Sequence, residues 1–325
     1  MLAAVTLLMA GCWRNDEPST AAKGEPVSIA LPSGLMGALV HLAHAKRYFN
    51  EQGLNVTLLP VATGIVAIET VLRGEADVAL TSETPFIIAV LEKKDIHLLA
   101  RTYRSRTFVS MVARRDRGIE SAHDLAGKRI GIVPGRPADY FSEFYLALQG
   151  IDPAQFTRVS LVEELAETAL INGDVDAVAT WHPYSTRLIA RLGPRALVFN
   201  DPAMYQVRFD LVARQEFAAA RPEVARRFLV ALQTALDFLR GDPEEARRLV
   251  APLTHEAAEL SAEMWRASDY TLTLDESLLS ALEDEARWTL AKKAKSQASL
   301  PNFLDFIDAR PLQNVRADAV SILLP

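Results

Sequence analysis

The sequence contains almost no cysteine and no excess of positive charge. Cys12 is the only cysteine among 325 residues, so no disulfide can form within one chain. Lys and Arg number 35 against 41 Asp and Glu, which gives a formal net charge of −6. Such a chain has no basic field that would hold a phosphate backbone. We therefore expect no nucleic acid among its partners.

Several sequence motifs of enzymes are also missing. The chain has no G-x-S-x-G nucleophile elbow, no G-x-x-x-x-G-K-[ST] phosphate loop and no H-E-x-x-H zinc motif. His41 and His44 are three residues apart in a predicted helix, but no third ligand is within reach by sequence. We predict no metal site, no cofactor and no catalytic residue.

An apolar run opens the chain and ends at Cys12. Residues 1–10 are too few to span a bilayer as a mature helix, but they fit the apolar part of a secretory signal. The small residues just before Cys12 resemble a bacterial lipobox. We predict a signal peptide over residues 1–11, lipidation of Cys12, a tether over residues 12–26 and a periplasmic or extracytoplasmic protein anchored to the membrane. A free or buried cysteine is the alternative.

Short apolar runs alternate with helical periodicity from Pro26 onward, which predicts βαβ units and mostly parallel sheets. The same alternation begins again after Lys128, so one architecture is used twice. Beyond Arg214 the pattern is mainly helical, and we expect these helices to pack on the first lobe. The fold class is therefore α/β with two lobes.

A shift of 99 positions aligns the chain with itself. Residues 74–81 then match residues 173–180 at a Gly, an Asp and a Thr, and each copy predicts a helix end, a turn and a buried strand. Ligands of open α/β sheets lie beyond the carboxyl ends of strands. The positions directly after these two strands are candidates for a ligand site: Ser82, Glu83, Trp181 and His182.

A second internal similarity suggests where the lobes join. Residues 110–114 and 210–214 share an apolar-apolar-Ala-Arg pattern and bracket the second α/β block. Two crossing strands would leave a cleft between the lobes and a hinge beneath it. We predict lobe two over residues 114–213, with lobe one formed by residues 27–113 and 214–325.

Several segments together resemble a known family, the substrate-binding proteins of the nitrate/sulfonate/taurine class of ABC importers. They are residues 48–56, 74–77, 124–131, 150–153, 173–177 and 306–312. The resemblance implies a type II periplasmic-binding-protein fold and a monomer that captures a small molecule by hinge closure. It also implies ABC permease and ATPase subunits as partners. The alternative is an enzyme of the thiamine-pyrimidine type, whose cysteine-rich motif this chain lacks.

The resemblance places ligand contacts at loops that precede helices. Here these loops hold Ser33 with Gly34, Gly64, and Gly135 with Arg136. Unpaired N–H groups at helix starts can hold an anion. Arg136 stands where the family commonly has a small hydroxyl residue. Its guanidinium would favour a carboxylate or larger oxyanion if it enters the cleft, whereas a solvent-facing side chain would say nothing.

Acidic residues near the expected cleft favour the opposite ligand charge. Glu83, Asp139 and Asp210 would suit an amine or an aminopyrimidine, although an acid at Asp139 is also favoured by the helix dipole. Tyr140 and Trp181 could stack on a planar ligand, and His182 could donate a hydrogen bond. The sequence thus leaves the charge of the ligand open.

Overall fold

The computed structural model describes residues 24–254, 258–292 and 299–322. The predicted signal peptide, most of the tether and Cys12 lie outside the described residues, so lipidation stays a prediction. Within the described ranges, none of the helices combines the length and apolar character needed to cross a bilayer.

The strands and helices of the described residues are as follows. The strands are β1 (Glu25–Pro32), β2 (Leu54–Val61), β3 (Val78–Ser82), β4 (His97–Ser105), β5 (Val109–Arg114), β6 (Arg129–Ile132), β7 (Thr157–Ser160), β8 (Ala177–Trp181), β9 (Ala196–Phe199), β10 (Val207–Ala213) and β11 (Ser268–Thr273). The helices are α1 (Ala38–Ala45), α2 (Tyr48–Glu51), α3 (Gly64–Leu72), α4 (Glu83–Leu91), α5 (Pro137–Leu148), α6 (Glu163–Asn172), α7 (Tyr184–Leu192), α8 (Gln215–Ala220), α9 (Pro222–Gly241), α10 (Pro243–Val250), α11 (Ala258–Arg266), α12 (Glu276–Lys292) and α13 (Arg310–Gln313).

The strands form two sheets, as the sequence predicts for a two-lobe α/β protein. The first sheet has the order β11-β4-β10-β3-β1-β2, and the second has the order β7-β6-β8-β5-β9. The β1–β2, β1–β3, β6–β7 and β6–β8 pairs are parallel, whereas every pair that involves β4, β5 or β10 is antiparallel. Both sheets are therefore mixed, which corrects the expectation of mostly parallel sheets.

The chain passes between the sheets one strand earlier than the predicted boundaries. β4 belongs to the first sheet and β5 to the second, so the first crossing lies at residues 106–108. The return crossing lies at residues 200–206, because β9 is in the second sheet and β10 in the first. Residues 109–113 therefore join the second sheet, and residues 207–213 join the first. The crossings are loops, which the similarity between β5 and β10 does not reveal.

The internal repeat corresponds to equivalent positions in the two sheets. β10-β3-β1-β2 in the first sheet matches β5-β8-β6-β7 in the second. The register agrees as well: Leu211 faces Leu80 in the first sheet, and Met111 faces Ala179, which is Leu80 shifted by 99 positions, in the second. The similarity between residues 110–114 and 210–214 thus reflects two strands with the same role in different sheets.

The repeated aspartates connect each buried strand to its parallel neighbour. Asp77 Oδ2 accepts from the backbone N–H of Ser28 in β1 at 2.8 Å. Asp176 Oδ2 accepts from the backbone N–H of Arg129 in β6 at 2.9 Å. A backbone N–H that lacks a partner costs free energy, so in both copies the carboxylate satisfies one N–H of the neighbouring strand.

The C-terminal helices pack mainly on the first sheet's side. Phe228 of α9 stacks on Phe49 of α2 with ring centroids 4.9 Å apart. Helix α12 contacts α4 but also reaches α5 beside the second sheet. There Trp288 Nε1 donates to Glu143 at 2.9 Å, and Lys292 Nζ donates to the same carboxylate at 2.7 Å. α12 therefore contacts both halves of the molecule.

Candidate functional site

A cavity of about 190 Å³ lies between the two sheets. Pro32 at the end of β1, Ser82 at the end of β3 and Trp181 at the end of β8 line it. The site thus occupies the carboxyl ends of parallel strands from both halves, where α/β folds hold ligands.

Five helices begin at this cavity. The residues at these helix starts that line it are Gly64 of α3, Ser82 before α4, Pro137 of α5, Glu163 of α6 and Tyr184 of α7. The first N–H groups of a helix have no intrahelical partner and carry partial positive charge. These helices follow strands of both sheets, and their N-termini therefore favour negative charge in the cavity.

Gly64 has a packing reason of its own. A Cβ at this position would lie 2.5 Å from Thr81 Oγ1 of β3. α3 can approach β3 this closely only because residue 64 has no side chain. The glycine therefore shapes the cavity wall and does not by itself indicate a ligand contact.

Arg136 reaches into the cavity and is incompletely paired. Its side chain is 16% exposed, and Nη2 donates to Glu163 Oε2 at 3.1 Å. Nε and Nη1 are buried and have no hydrogen-bond partner among the described residues. Buried donors without partners cost free energy, so Glu163 satisfies the Arg136 guanidinium only in part.

Two lining residues that the sequence analysis did not select complete the arrangement around Arg136. Glu163 opens α6, and the Tyr184 hydroxyl donates to its Oε1 at 3.1 Å. Burial, reinforced by the charge of Glu163, raises the pKa of Tyr184 to about 12. The hydroxyl is therefore protonated at neutral pH. An acid in the first turn of a helix is usually explained by the dipole, so sequence alone gave no signal for Glu163.

Aromatic side chains form much of the remaining wall. Trp181 and Tyr184 meet edge to face with centroids 5.6 Å apart, and Phe108 meets Phe209 in the same way at 5.5 Å. The nearby His182 ring is buried, with Nδ1 2.8 Å from Thr186 Oγ1. The cavity therefore joins apolar surface to a few polar groups, as small-molecule sites do.

The structure brings together half of the ligand-site residues expected from the sequence. Those that line the cavity are Ser33, Gly64, Ser82, Arg136, Trp181 and His182. Gly34 and Gly135 neighbour lining residues without lining it themselves, and both have positive φ angles, 125° and 72°. Four further residues do not line this cavity, and their contact with a ligand stays a prediction: Glu83, Asp139, Tyr140 and Asp210.

Asp210 belongs to a buried ion pair inside the first sheet. Its Oδ1 accepts from Arg101 Nε at 3.1 Å, and the two side chains are 0% and 1% exposed. Arg101 lies on β4, which pairs with β10. The Asp210 carboxylate therefore pairs with Arg101 and does not line the cavity.

Asp139 and Tyr140 face α12 instead of the cavity. Asp139 Oδ1 accepts from Arg158 at 2.8 Å and from Lys292 at 3.1 Å. The Tyr140 ring contacts the Trp288 ring edge to face at 5.2 Å. Both side chains are therefore engaged in the contact between α5 and α12.

Glu83 is buried in a polar cluster that does not line the cavity. It accepts from the Tyr205 hydroxyl at 2.8 Å and from the Arg208 backbone N–H at 3.0 Å. The neighbouring Glu285 accepts a hydrogen bond from Thr84 Oγ1. Burial raises the pKa of both carboxyl groups, and the charge of Glu83 raises that of Glu285 further, to well above its ordinary value.

We expect Glu285→Gln to raise the free energy of unfolding at pH 7. Folding raises the pKa of Glu285 above its ordinary value of 4.5. Above pH 4.5, ionisation of Glu285 therefore stabilises the unfolded state more than the native state, and the difference grows as the pH rises. An amide cannot ionise but can still accept from Thr84. Urea unfolding from pH 4 to 8 tests this. The gain should vanish near pH 4, and a gain independent of pH would contradict it.

Comparison with known proteins agrees with this geometry. The structure superposes on the periplasmic aliphatic sulphonate-binding protein of Escherichia coli with a TM-score of 0.75 and 17% identity, covering 90% of this chain and 98% of that one. The alkanesulfonate-binding protein of Xanthomonas axonopodis pv. citri, bound to MOPS, gives 0.71 and 17%, with coverage of 89% and 100%. The chain therefore has the type II periplasmic-binding-protein fold.

The family follows from the sequence profile. The chain belongs to the family described as NMT1/THI5 like, whose profile matches residues 37–246. A Bacillus subtilis (strain 168) relative named for binding aliphatic sulfonates is 24% identical over 258 residues, which are 78% of this chain and 77% of that protein. A 4-amino-5-hydroxymethyl-2-methylpyrimidine phosphate synthase of Aspergillus parasiticus is 25% identical over 228 residues, or 64% of each chain.

Proposed function

We propose that this protein is the extracytoplasmic solute-binding component of an ABC importer and that it captures a small organic oxyanion, of the organosulfonate type, between its two lobes. The observation that carries the proposal is the Arg136 side chain, which lines the cavity with two buried N–H-bearing nitrogens unpartnered among the described residues. An oxyanion supplies the acceptors that these donors need, and it binds without chemistry.

The position of the cavity supports capture by closure. Its lining comes from both sheets, and two loop crossings, at residues 106–108 and 200–206, connect them. A ligand that contacts both lobes favours the closed arrangement through contacts that the open one lacks. The sulfonate-binding relatives support the same role for this chain.

The rest of the importer follows from this role. The closed, loaded protein delivers its ligand as a monomer to a membrane permease that works with ATPase subunits. The lipid on Cys12 holds the protein at the membrane surface, since one apolar run before a cysteine and a polar tether suit an anchored mature protein. Mass spectrometry of the N-terminal peptide from the membrane fraction tests the anchor, and an unprocessed Met1 would contradict it.

A thermal-shift series tests the ligand class. We expect ethanesulfonate or a larger alkanesulfonate to raise the melting temperature, because a ligand at 100 times its Kd stabilises the native state by about 2.7 kcal/mol. Ethylamine, of similar size and opposite charge, is the matched control and should have no effect. Stabilisation by the amine, or by an aminopyrimidine alone, would contradict the proposal.

The thermal-shift measurement with an aminopyrimidine also addresses the enzymatic branch of the family. The pyrimidine phosphate synthases are relatives at 25–26% identity. The whole chain holds one cysteine, at position 12, ahead of the family match at residues 37–246. A cysteine-dependent reaction therefore has no residue to carry it within the matched region.

A further inference from the structure

Helix α12 is attached to lobe one, the half of the molecule built on the first sheet. It packs on α4, which follows β3 of that sheet. Its Leu278 and Leu282 side chains are completely buried, and its Glu285 accepts a hydrogen bond from Thr84 Oγ1 of α4. Pro85 of α4 lines the cavity. α12 therefore belongs with the lobe-one wall of the cavity.

The last two turns of α12 contact α5, which follows β6 of the second sheet. Trp288 Nε1 donates to Glu143 Oε2 at 2.9 Å. Lys292 Nζ donates to Glu143 Oε1 at 2.7 Å and to Asp139 Oδ1 at 3.1 Å, and it lies 4.3 Å from the centroid of the Trp288 ring. Two carboxylates of lobe two are thus bound by side chains of lobe one.

Helix α5 also carries part of the cavity wall. Arg136, the residue directly before α5, lines the cavity, and Asp139 Oδ2 accepts from the backbone N–H of Gly135 at 3.1 Å. The loop that holds Arg136 is therefore tied to the carboxylate that Lys292 contacts. Glu143 lies about 10 Å further along the helix axis, at 1.5 Å per residue. α12 holds this wall from outside the cavity.

The contacts between α12 and α5 favour the closed arrangement of the lobes. The Asp139 and Glu143 side chains are 5% and 16% exposed, and Lys292 is 34% exposed, so solvent screens these pairs less than it screens surface pairs. If lobe two rotates away from lobe one, α5 leaves α12, because α12 stays packed on α4. Opening the cleft therefore breaks these contacts whether or not a ligand is bound.

We propose that Trp288 and Lys292 form an interlobe clasp that holds α5 against lobe one and raises the affinity of the cavity for its ligand from outside the cavity. Neither residue lines the cavity. The apparent Kd equals the intrinsic Kd divided by the fraction of protein in the binding-competent state, so a contact that populates the closed state strengthens binding. The inference rests on the proposed function for the choice of ligand, whereas the effect on the lobes can be measured without one.

Isothermal titration calorimetry with ethanesulfonate tests the effect on affinity. Lys292→Met keeps most of the apolar side chain and removes the charge, and it should weaken binding about 3- to 10-fold. Lys292→Glu places a third negative charge beside Asp139 and Glu143, so it should weaken binding more. Lys292→Arg keeps a cation at this position and should restore most of the affinity.

Arg158→Ala is the matched control for the loss of positive charge. Arg158 pairs with the same two carboxylates, Asp139 and Glu143, but it lies on β7 and therefore in the same lobe as α5. Its removal takes one cation from the same site without loosening the contact between the lobes. The Kd for ethanesulfonate should stay that of the unmodified protein.

Small-angle X-ray scattering without added ligand tests the effect on the lobes. Lys292→Glu should have a larger radius of gyration than the unmodified protein, and saturating ethanesulfonate should reduce it. Arg158→Ala should match the unmodified protein. If Lys292→Glu fails to fold, as circular dichroism would show, Trp288→Phe provides the same measurement, since it removes the indole donor to Glu143 and keeps an aromatic ring.

The outcomes separate the clasp from the function on which it rests. If the Lys292 variants keep both the Kd and the radius of gyration of the unmodified protein, the clasp is wrong and the proposed function stands. An Arg158→Ala variant that loses as much affinity as Lys292→Met would assign the effect to charge near α5 and overturn the clasp. If ethanesulfonate does not bind the unmodified protein, the proposed ligand class fails, and the scattering comparison still decides whether the clasp exists.

Discussion

Replacing Asp210 with alanine should lower the free energy of unfolding by about 3–5 kcal/mol. The carboxylate is the partner of Arg101, and both side chains are almost completely buried. Its removal leaves a guanidinium charge inside the protein, with Asp275 as a remaining neighbour whose Oδ1 lies 4.0 Å from Nη1. Breaking a buried pair costs more than the pair contributes, because the surviving charge loses its compensation.

Chemical unfolding of Asp210→Ala and of a matched variant measures this effect. Asp269 also pairs with an arginine of β4, Arg104, but its side chain is 52% exposed. Asp269→Ala should therefore lower the free energy of unfolding by about 1 kcal/mol or less. If Asp210→Ala instead keeps its stability and loses affinity for the ligand, the aspartate faces the cavity and the structural role is wrong.

Arg136→Ala should weaken the binding of an alkanesulfonate by about 30- to 150-fold, which corresponds to about 2–3 kcal/mol for a charge-assisted contact. The substitution removes the donors that the anion needs. It also removes the ion pair between Arg136 and the Glu163 carboxylate, which lines the same cavity. Both changes act against a negative ligand, whereas the affinity for a cation should be unchanged or slightly higher.

Isothermal titration calorimetry with ethanesulfonate measures this loss. Arg158→Ala is a suitable control, because Arg158 pairs with Asp139 and Glu143 beside α5 and does not line the cavity. It should leave the Kd unchanged even if it lowers the melting temperature. Wild-type affinity in Arg136→Ala would show that the anion binds elsewhere.

The repeated architecture could be predicted from the sequence because its signals are local. Gly74 and Gly173 adopt left-handed φ angles of 76° and 83° after their helices, and Asp77 and Asp176 bond the adjacent strands. Such turn chemistry is visible within a few residues. The crossings between sheets could not be predicted in the same way, since β5 and β10 have similar sequences and differ only in the sheet that each one joins.

The site shows the same division between local and distant information. Ser82, Trp181 and His182 follow directly from the rule that ligands lie at strand ends. The acidic residues that do not line the cavity have partners far away in sequence: Arg101 is 109 residues from Asp210, and Tyr205 is 122 residues from Glu83. Whether a carboxylate can be buried depends on such a distant partner. The residues next to the carboxylate in sequence do not indicate whether that partner is present.

The order of strands in the first sheet has a consequence for biosynthesis. β4 lies between β10 and β11, so its neighbours begin at residues 207 and 268, more than a hundred residues after β4 ends at residue 105. A growing chain cannot complete this sheet until it has passed residue 273. Pairing between such distant segments makes folding slow. The first sheet is therefore completed only when nearly all of the chain has been translated, whereas the strands of the second sheet find all their partners within residues 109–199.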